Sequence, residues 1–208
     1  WVRELANVNY QKELEKLIEG QQKAGRVPRL FLHACCAPCS SYVLEYLSPH
    51  FSITAHYYNP NIDTPEEYAH RARELSRFVQ EMPLPGAVDV LAEPYTPAEF
   101  YAAVKGLEDI PEGGRRCYEC YRLRLRRAAQ AAAAGGYDYF TTTLSISPHK
   151  NAVWLGELGE AFAAEYGVRW LPSDFKKKNG FKRSTELAAR YGLYRQDYCG
   201  CEFSAKAR

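Results

Sequence analysis

The hydrophobic and polar positions of this chain follow two alternating patterns. Short apolar runs rich in β-branched and aromatic residues predict strands at 29–34, 51–59, 87–93, 137–145 and 168–172. Stretches with helical periodicity predict helices at 8–24, 40–47, 65–80, 96–107, 117–134, 151–166 and 184–191. Ser40 or Ser41 is a plausible cap of the second helix, Thr64 of the third and Asn151 of the sixth.

Strands that alternate with helices predict an α/β fold, a mostly parallel, doubly wound, Rossmann-like (HUP-like) sheet with helices on both faces. We expect one α/β domain over 29–208, preceded by an N-terminal helical extension over 1–28 and ending in a cysteine-bearing loop. Ligands of such sheets gather beyond the carboxyl ends of the strands. "HACCAPCS", "YYNPNID" and "TTTLSISPHK" all follow predicted strands, so we expect them at that edge.

Composition narrows the class of protein. The chain has 208 residues, 46% hydrophobic and 25% charged, which is typical of a globular domain rather than a disordered chain. No apolar run reaches the length of a membrane-spanning helix, and the first twenty residues lack the apolar core of a secretory signal. We therefore expect a cytoplasmic protein that does not enter a membrane.

Charge is uneven along the chain although its formal net value is only +2. The range 115–127 holds six arginines and a single acid, Glu119. The range 176–183 ("KKKNGFKR") has lysines and an arginine without an acid. Such patches fit contact with phosphate backbones, and they fit solvated helix faces and loops equally well.

Seven cysteines form three groups: 35/36/39, 117/120 and 199/201. An odd, clustered set in a chain of this length favours metal binding or redox chemistry over structural disulfides. Four thiolates from the first two groups could bind zinc or an iron–sulfur cluster. Most of a domain separates the groups and a fifth thiol is present, which favours a cluster without excluding zinc.

Cys199 and Cys201 form a different arrangement, with only Gly200 between them. A disulfide across one residue closes a tight ring, and strained, exposed pairs of this kind are labile and redox-active. Further metal ligands or two free thiols are equally compatible with the spacing.

Five motifs in order, from about residue 29 to 204, resemble the QueH family of epoxyqueuosine reductases. They are "LHACCAPCS", "YYNPNI", "RRCYECYRLRL", "TTTLSISPHKN" and "FKRSTELAARYGLYRQDYCGCEFS". The resemblance implies an oxidoreductase of tRNA processing that completes queuosine biosynthesis by reducing epoxyqueuosine to queuosine. The implied partners are tRNA carrying epoxyqueuosine in its anticodon loop and an electron donor that the sequence does not identify.

The resemblance also implies site residues. A [4Fe–4S] cluster would be held by Cys35, Cys36, Cys117 and Cys120. Cys199 and Cys201 would form a redox-active disulfide. The family is associated with an additional metal ion, a mononuclear iron or zinc, and Cys39 is our candidate for its ligand and for a catalytic role.

Polar residues near the motifs are candidates for substrate binding: Asn59, Asn61, Ser145, His149, Lys150, Tyr194 and Arg195. Turn formation and helix capping explain several of them as well. His33, inside the first apolar run, is expected to be a structural histidine rather than a ligand.

Two alternatives stay open. An ATP-dependent tRNA-modifying enzyme on a similar fold needs a glycine-rich loop after the first strand, and "HACCAPCS" has no glycine. A zinc-stabilised RNA-binding module without catalysis leaves the separate pair at 199 and 201 unexplained.

Overall fold

The computed structural model describes residues 9–205 and contains a five-stranded sheet flanked by helices. The strands are β1 Arg29–His33, β2 Ser52–Tyr57, β3 Val88–Ala92, β4 Tyr139–Thr142 and β5 Arg169–Trp170. The helices are α1 Tyr10–Lys23, α2 Ala37–Leu47, α3 Pro65–Glu81, α4 Pro97–Val104, α5 Arg115–Ala134, α6 Ala152–Tyr166, α7 Gly180–Arg190 and α8 Glu202–Ala205. A 3₁₀ turn, Thr143–Ile146, follows β4 directly. Part of the predicted N-terminal extension, residues 1–8, lies outside the described residues.

All strands are parallel, in the order β3-β2-β1-β4-β5. The predicted α/β class and parallel sheet are therefore confirmed. Leu30 of β1 pairs with Ile53 of β2 on one side and with Tyr139 of β4 on the other. The chain runs outward from β1 to β3 and then returns to β1's other side, so the switch point of the sheet lies between the ends of β1 and β4.

The central strand β1 is buried on both faces of the sheet, and its side chains alternate between two cores. Leu30 and Leu32 pack into one core, which also includes residues of α1, α2, α3 and α7. Phe31 points the other way, into a core formed with α5 and α6. No helix in residues 9–205 combines the length and the apolarity that crossing a membrane demands.

The predicted start and cap of the second helix need correction, whereas the predicted caps of two other helices are confirmed. The second helix begins at Ala37, and its cap is Cys36, whose sulfur accepts from the Cys39 backbone N–H at 3.4 Å. Ser40 is inside that helix, where its hydroxyl donates to the Cys36 carbonyl. Thr64 and Asn151 do cap their helices, accepting from backbone N–H groups of the first turn.

Candidate active site at the switch point

One cavity of about 590 Å³ opens at the carboxyl ends of β1, β2 and β4. Its volume suits a ligand the size of a nucleoside. Its wall includes Cys35, Cys36, Cys39, Asn59, Asn61, Arg71, Arg124, Ser147, His149, Lys150, Phe181, Arg195, Asp197, Tyr198 and Cys199. The three segments expected at this edge of the sheet therefore do meet there, and the chain before α8 closes the opposite side.

The triad of Cys35, Cys36 and Cys39 is the most compact donor set at this edge. Their sulfur atoms all lie within 4.8 Å of one another. The extended backbone at Cys36 and the immediate start of α2 turn adjacent thiols toward the same point. Thr143, at the end of β4, fixes the turn because its hydroxyl accepts from the Cys35 N–H at 3.2 Å and contacts the Cys35 sulfur at 3.3 Å. The triad therefore lies at the switch point itself.

Charge is shared unequally within the triad. Hydrogen bonds from Cys36 and Cys39 lower the pKa of Cys35 well below its ordinary value. The hydrogen bond to Cys35 in turn raises the pKa of Cys36 to about 12, and Cys35 and Cys36 raise the pKa of Cys39. Within the triad, Cys35 is therefore the thiol that ionises most readily. A bound cation would supply the charge needed for all three to be thiolates.

Cys117 and Cys120 lie in the first two turns of α5, next to the triad but not within its 4.8 Å set. Cys117 belongs to the same apolar core against which Cys35 packs, and its sulfur accepts from the Gly113 N–H at 3.3 Å. Cys120 packs instead with Cys201, Phe100 and Val104. Cys35 and Cys117 therefore share one core, Cys39 packs against the core on the other face of the sheet, and Cys120 lies beside the tail cysteine Cys201.

These donors fit the metal groups implied by the resemblance. Thiolates are the ligands that zinc and iron–sulfur clusters prefer. The triad alone is compact enough for a single ion. A cluster spreads its ligands further apart, and Cys117, packed in the same core as Cys35, is suitably placed to contribute.

Both cysteines of the tail are free thiols in very different surroundings. The Cys199 sulfur accepts from the ammonium of Lys150 at 3.1 Å. Cys201 is buried, and desolvation together with the charge of Cys199 raises its pKa to about 12. Gly200 between them has a φ of +108°, and its carbonyl accepts from the Asp63 N–H at 2.8 Å. The tail is thus attached to the turn after β2.

Lys150 is almost buried, with 9% of its side chain exposed. Burial alone would lower its pKa, but the sulfur of Cys199 raises it above its ordinary value. Glu112 lies 3.6 Å from the ammonium and accepts from the Ser204 hydroxyl at 3.0 Å. Ser204 in turn accepts from the Cys199 N–H at 3.3 Å. Lysine, carboxylate and hydroxyl therefore form one network around Cys199.

The remaining predicted substrate residues differ in position. Asn61, His149 and Arg195 are in the cavity wall. Asn59 is there too, but both ends of its amide are engaged: it donates to the Ala34 carbonyl at 3.0 Å and accepts from Arg124 at 3.2 Å. Ser145 and Tyr194 are not in the wall.

Ser145 is buried and accepts from the Phe175 N–H. The Tyr194 hydroxyl donates to Glu67 at the surface. His33 is fully buried, with the Thr142 hydroxyl at one nitrogen and the Tyr58 carbonyl at the other, as expected of a structural histidine.

The arginines of α5 turn out to be largely engaged within the protein. Arg115 and Arg122 pair with Glu119, Arg126 with Glu165, and Arg127 with Glu93. Arg116 donates to backbone carbonyls of 108 and 110. Arg124 is buried in the cavity wall.

Sequence reasoning missed Arg71 and Arg124. Arg71 is buried on α3, pairs with Glu67 at 2.6 Å, and lies against the ring of Tyr198. The signal for Arg124 was its spacing: it comes four residues after Cys120, so both share one face of α5.

Comparison with known proteins identifies the family to which this chain is similar. The family model described as "Epoxyqueuosine reductase QueH" matches residues 30–207. Proteins named epoxyqueuosine reductase QueH are similar over most of their length. The one from Streptococcus pyogenes serotype M1 is 42% identical over 201 residues, covering 96% of this chain and 79% of the relative. The Staphylococcus epidermidis protein is 43% identical over 202 residues, covering 95% and 85%. The Thermotoga maritima protein is 33% identical over 185 residues, covering 86% and 91%.

Proposed function

Because the chain belongs to the epoxyqueuosine reductase QueH family and is thus an oxidoreductase, we propose that it reduces epoxyqueuosine in tRNA to queuosine. One observation of the site supports this proposal independently of the family. A cavity of nucleoside size has a compact cysteine triad on one wall and a second, separate thiol, Cys199, on the other.

The reaction removes an epoxide oxygen as water, which takes two electrons and two protons and leaves a carbon–carbon double bond. A dithiol that closes to a disulfide releases two electrons and two protons, so Cys199 and Cys201 balance one turnover. An external electron donor must then reduce the disulfide again.

We propose that Cys35, Cys36, Cys117 and Cys120 hold a [4Fe–4S] cluster and that Cys39 is a ligand of an additional iron or zinc ion. When bound, these groups supply electron transfer and a Lewis acid for the epoxide oxygen. The shared core of Cys35 and Cys117 supports the cluster assignment, and the 4.8 Å grouping of the triad supports an ion close to Cys39.

The chain's own residues provide orientation and protons. The Lys150 ammonium donates to the Cys199 sulfur at 3.1 Å and is a proton source at the cavity wall. Asn61 and His149 offer polar contacts to the nucleoside. Phe181, 41% exposed at the cavity wall, provides a face on which a base that has left the anticodon stack can rest.

The tRNA backbone needs exposed cations. Pairing within the protein weakens the case for most arginines of α5, whereas Lys177 and Lys182, beside Phe181, are exposed. We therefore propose that the 176–183 segment contacts phosphates. A cytoplasmic location and a single catalytic domain over 29–208 complete the proposal.

Anaerobically purified full-length protein tests the function. We expect it to contain iron and sulfide, to give a paramagnetic resonance signal on reduction, and to convert epoxyqueuosine in tRNA when supplied with a chemical reductant. Nucleoside mass spectrometry of the digested tRNA measures conversion. The double variant Cys199→Ala with Cys201→Ala should keep its metal and lose turnover. Colourless protein with zinc alone and full activity would contradict the cluster.

A zinc-stabilised RNA-binding module is the second candidate, because the triad is compact enough for a single ion. It predicts that chelation unfolds the protein and that tRNA binding survives loss of Cys199 and Cys201 without any reduction ever being observed. The chelation experiment and the nucleoside measurement together separate the two candidates.

A further inference from the structure

Cys199 lies in the cavity wall although it belongs to irregular chain, shortly before α8. The residues on both sides of it contact one and the same partner. The Tyr198 hydroxyl donates to the Asp63 carboxylate at 3.0 Å, and the Gly200 carbonyl accepts from the Asp63 N–H at 2.8 Å. Asp63 therefore holds the chain immediately before and immediately after the thiol.

Asp63 itself belongs to a well-defined part of the fold. It directly precedes Thr64, the residue that caps α3. The turn before it is closed by a hydrogen bond from the Ile62 N–H to the Asn59 carbonyl at 3.1 Å. Asn59 is also part of the cavity wall. Asp63 thus connects Cys199 to the same turn that lines the cavity.

A buried arginine supports the tail at the same place. The guanidinium carbon of Arg71 lies 5.3 Å from the centre of the Tyr198 ring. A Cβ at Gly200 would lie 3.0 Å from Nη1 of Arg71, so the tail backbone packs directly against the guanidinium. Glu67 pairs with Arg71 at 2.6 Å and fixes it to α3. The Tyr198 ring therefore rests on a fixed surface while its hydroxyl donates to Asp63.

These contacts bear on reactivity because thiol chemistry depends on where the sulfur lies. A displacement of about 1 Å from the productive geometry can slow a reaction on the order of 100-fold. A hydrogen bond to a carboxylate is stronger than one between neutral groups, so it suits an anchor for an otherwise irregular segment.

We propose that Asp63 is the positioning residue of the reduced Cys199 thiol, and that its bond to the Tyr198 hydroxyl keeps this sulfur at one place in the cavity wall. It acts through the two neighbours of Cys199. Its consequence for turnover rests on the proposed function, but its effect on the accessibility of the tail thiols does not.

Alkylation of the intact chain tests this positioning. Protein purified anaerobically and kept reduced is mixed with iodoacetamide, and fragment mass spectrometry follows the labelling of each cysteine. Asp63→Ala keeps the backbone bond to Gly200 but loses the carboxylate, so the tail should open more often. We expect Cys201, which is buried beside Cys120, to be labelled about tenfold faster than in the native protein.

Three further variants make the result specific. Tyr198→Phe removes the same bond from its other end and keeps the ring, so its effect should be similar. The double variant with Asp63→Ala should exceed either single variant by less than twofold, because both remove one interaction. Asp63→Asn keeps an acceptor oxygen and should stay within about threefold of the native rate. Tyr166→Phe, at the end of α6 and outside the cavity wall, should not change labelling.

Turnover provides a readout that a merely structural role would not give. Asp63→Ala should lower kcat for epoxyqueuosine in tRNA about tenfold, because the thiol is displaced. The KM for tRNA should stay within about twofold, and the melting temperature and metal content should match those of the native protein. Asp63→Asn should recover most of the lost kcat.

Four outcomes would overturn the proposal. Unchanged labelling of Cys199 and Cys201 in both Asp63→Ala and Tyr198→Phe would show that the bond does not hold the tail. Loss of metal or of melting temperature in both variants would make its role structural. Additive effects in the double variant would show that the two side chains act separately. An unchanged kcat in an active enzyme, despite faster labelling, would show that turnover does not need the fixed position. If labelling changed as expected but the native protein did not reduce epoxyqueuosine, the positioning of Cys199 would stand and the proposed function would fall.

Discussion

The cysteine triad and the cysteine tail face the same cavity but are held in different ways. The triad follows the central strand of the sheet, with hydrogen-bonded neighbours on both sides and α2 starting within the motif. The tail runs through irregular chain between α7 and the short α8. Side-chain contacts hold it in place, and, besides the backbone bonds at the end of α7 and the start of α8, a backbone bond runs from the Asp63 N–H to the Gly200 carbonyl.

This difference fits two kinds of chemistry. Ligands of a metal centre need positions that do not change, and the end of a buried strand provides them. A pair of thiols that opens and closes must move with every turnover, and a segment held by a few side-chain contacts can do so at low cost. Variants in the two regions should therefore fail in different ways.

The largest effect is expected from Cys36→Ser in the triad. The serine oxygen can still cap α2, so the fold should survive, but the site loses a thiolate. We expect bound metal to fall below a tenth of the native content, and turnover to fall with it. Metal analysis of anaerobic protein measures this.

Cys36→Ala is the matched variant, because it removes the cap as well as the ligand. It should lose about 1 kcal/mol of unfolding free energy more than Cys36→Ser in a denaturant titration. Full metal content in Cys36→Ser would show that the triad is not a ligand set, and the contrast between the two regions would disappear.

Lys150→Met tests the tail side. Removing the ammonium beside Cys199 should lower kcat by about 10- to 100-fold, the range expected when a positioned proton donor is lost. Metal content should not change. The experiment therefore measures kcat and metal content of the same preparation, and only kcat should fall.

Lys105→Met is the control, since Lys105 is exposed at the end of α4 and is not among the residues of the cavity wall. Its kcat and its metal content should match those of the native protein. Loss of metal in Lys150→Met would mean that the tail supports the metal centre and that the two regions act as one.

The sequence was sufficient to predict the fold and the edge of the sheet at which the site lies. Periodicity and turn residues are local signals, and parallel strands bring their ends together whatever the strand order. The cap of α2 was harder, because a cysteine occupied a position where serine is more usual, and the serines that follow it were chosen instead.

Side-chain partners could not be predicted. The arginines of α5 looked like a basic patch, but Glu93 and Glu165 come from distant parts of the chain and neutralise two of them. Arg124 differed from its neighbours only by the face of the helix on which it lies. Contacts between residues far apart in sequence decide such cases, and no local pattern encodes them.

Gly200→Ala tests how far the function of the tail depends on its backbone conformation. A Cβ there would lie 3.0 Å from the Arg71 guanidinium, and a φ of +108° is strained for any residue with a side chain. We expect a loss of about 1–3 kcal/mol in unfolding free energy and slower turnover. Gly136→Ala, at a φ of +65° with open space around it, should cost about 1 kcal/mol and leave turnover unchanged.

The smallest effect is expected at the carboxyl end of β3, where Glu93 contacts His56 of β2 and Arg127 of α5. Glu93 is partly buried, which opposes ionisation, but hydrogen bonds from His56 and Arg127 outweigh this and lower its pKa to about 2, from 4.5. A carboxyl group whose pKa is lowered by folding stabilises the fold above its unfolded pKa, and that stability is lost as the pH falls from about 5 toward 2.

Glu93→Gln should cost about 1 kcal/mol at neutral pH, after allowance for solvent screening. In denaturant titrations at graded pH, the unfolding free energy of the variant should fall less steeply than that of the native protein between about pH 5 and pH 2. The reduction potential of the Cys199–Cys201 pair at neutral pH should stay the same. A change in that potential would mean that the end of β3 and the tail are coupled, although the side chain of Glu93 contacts His56 and Arg127 rather than the tail cysteines.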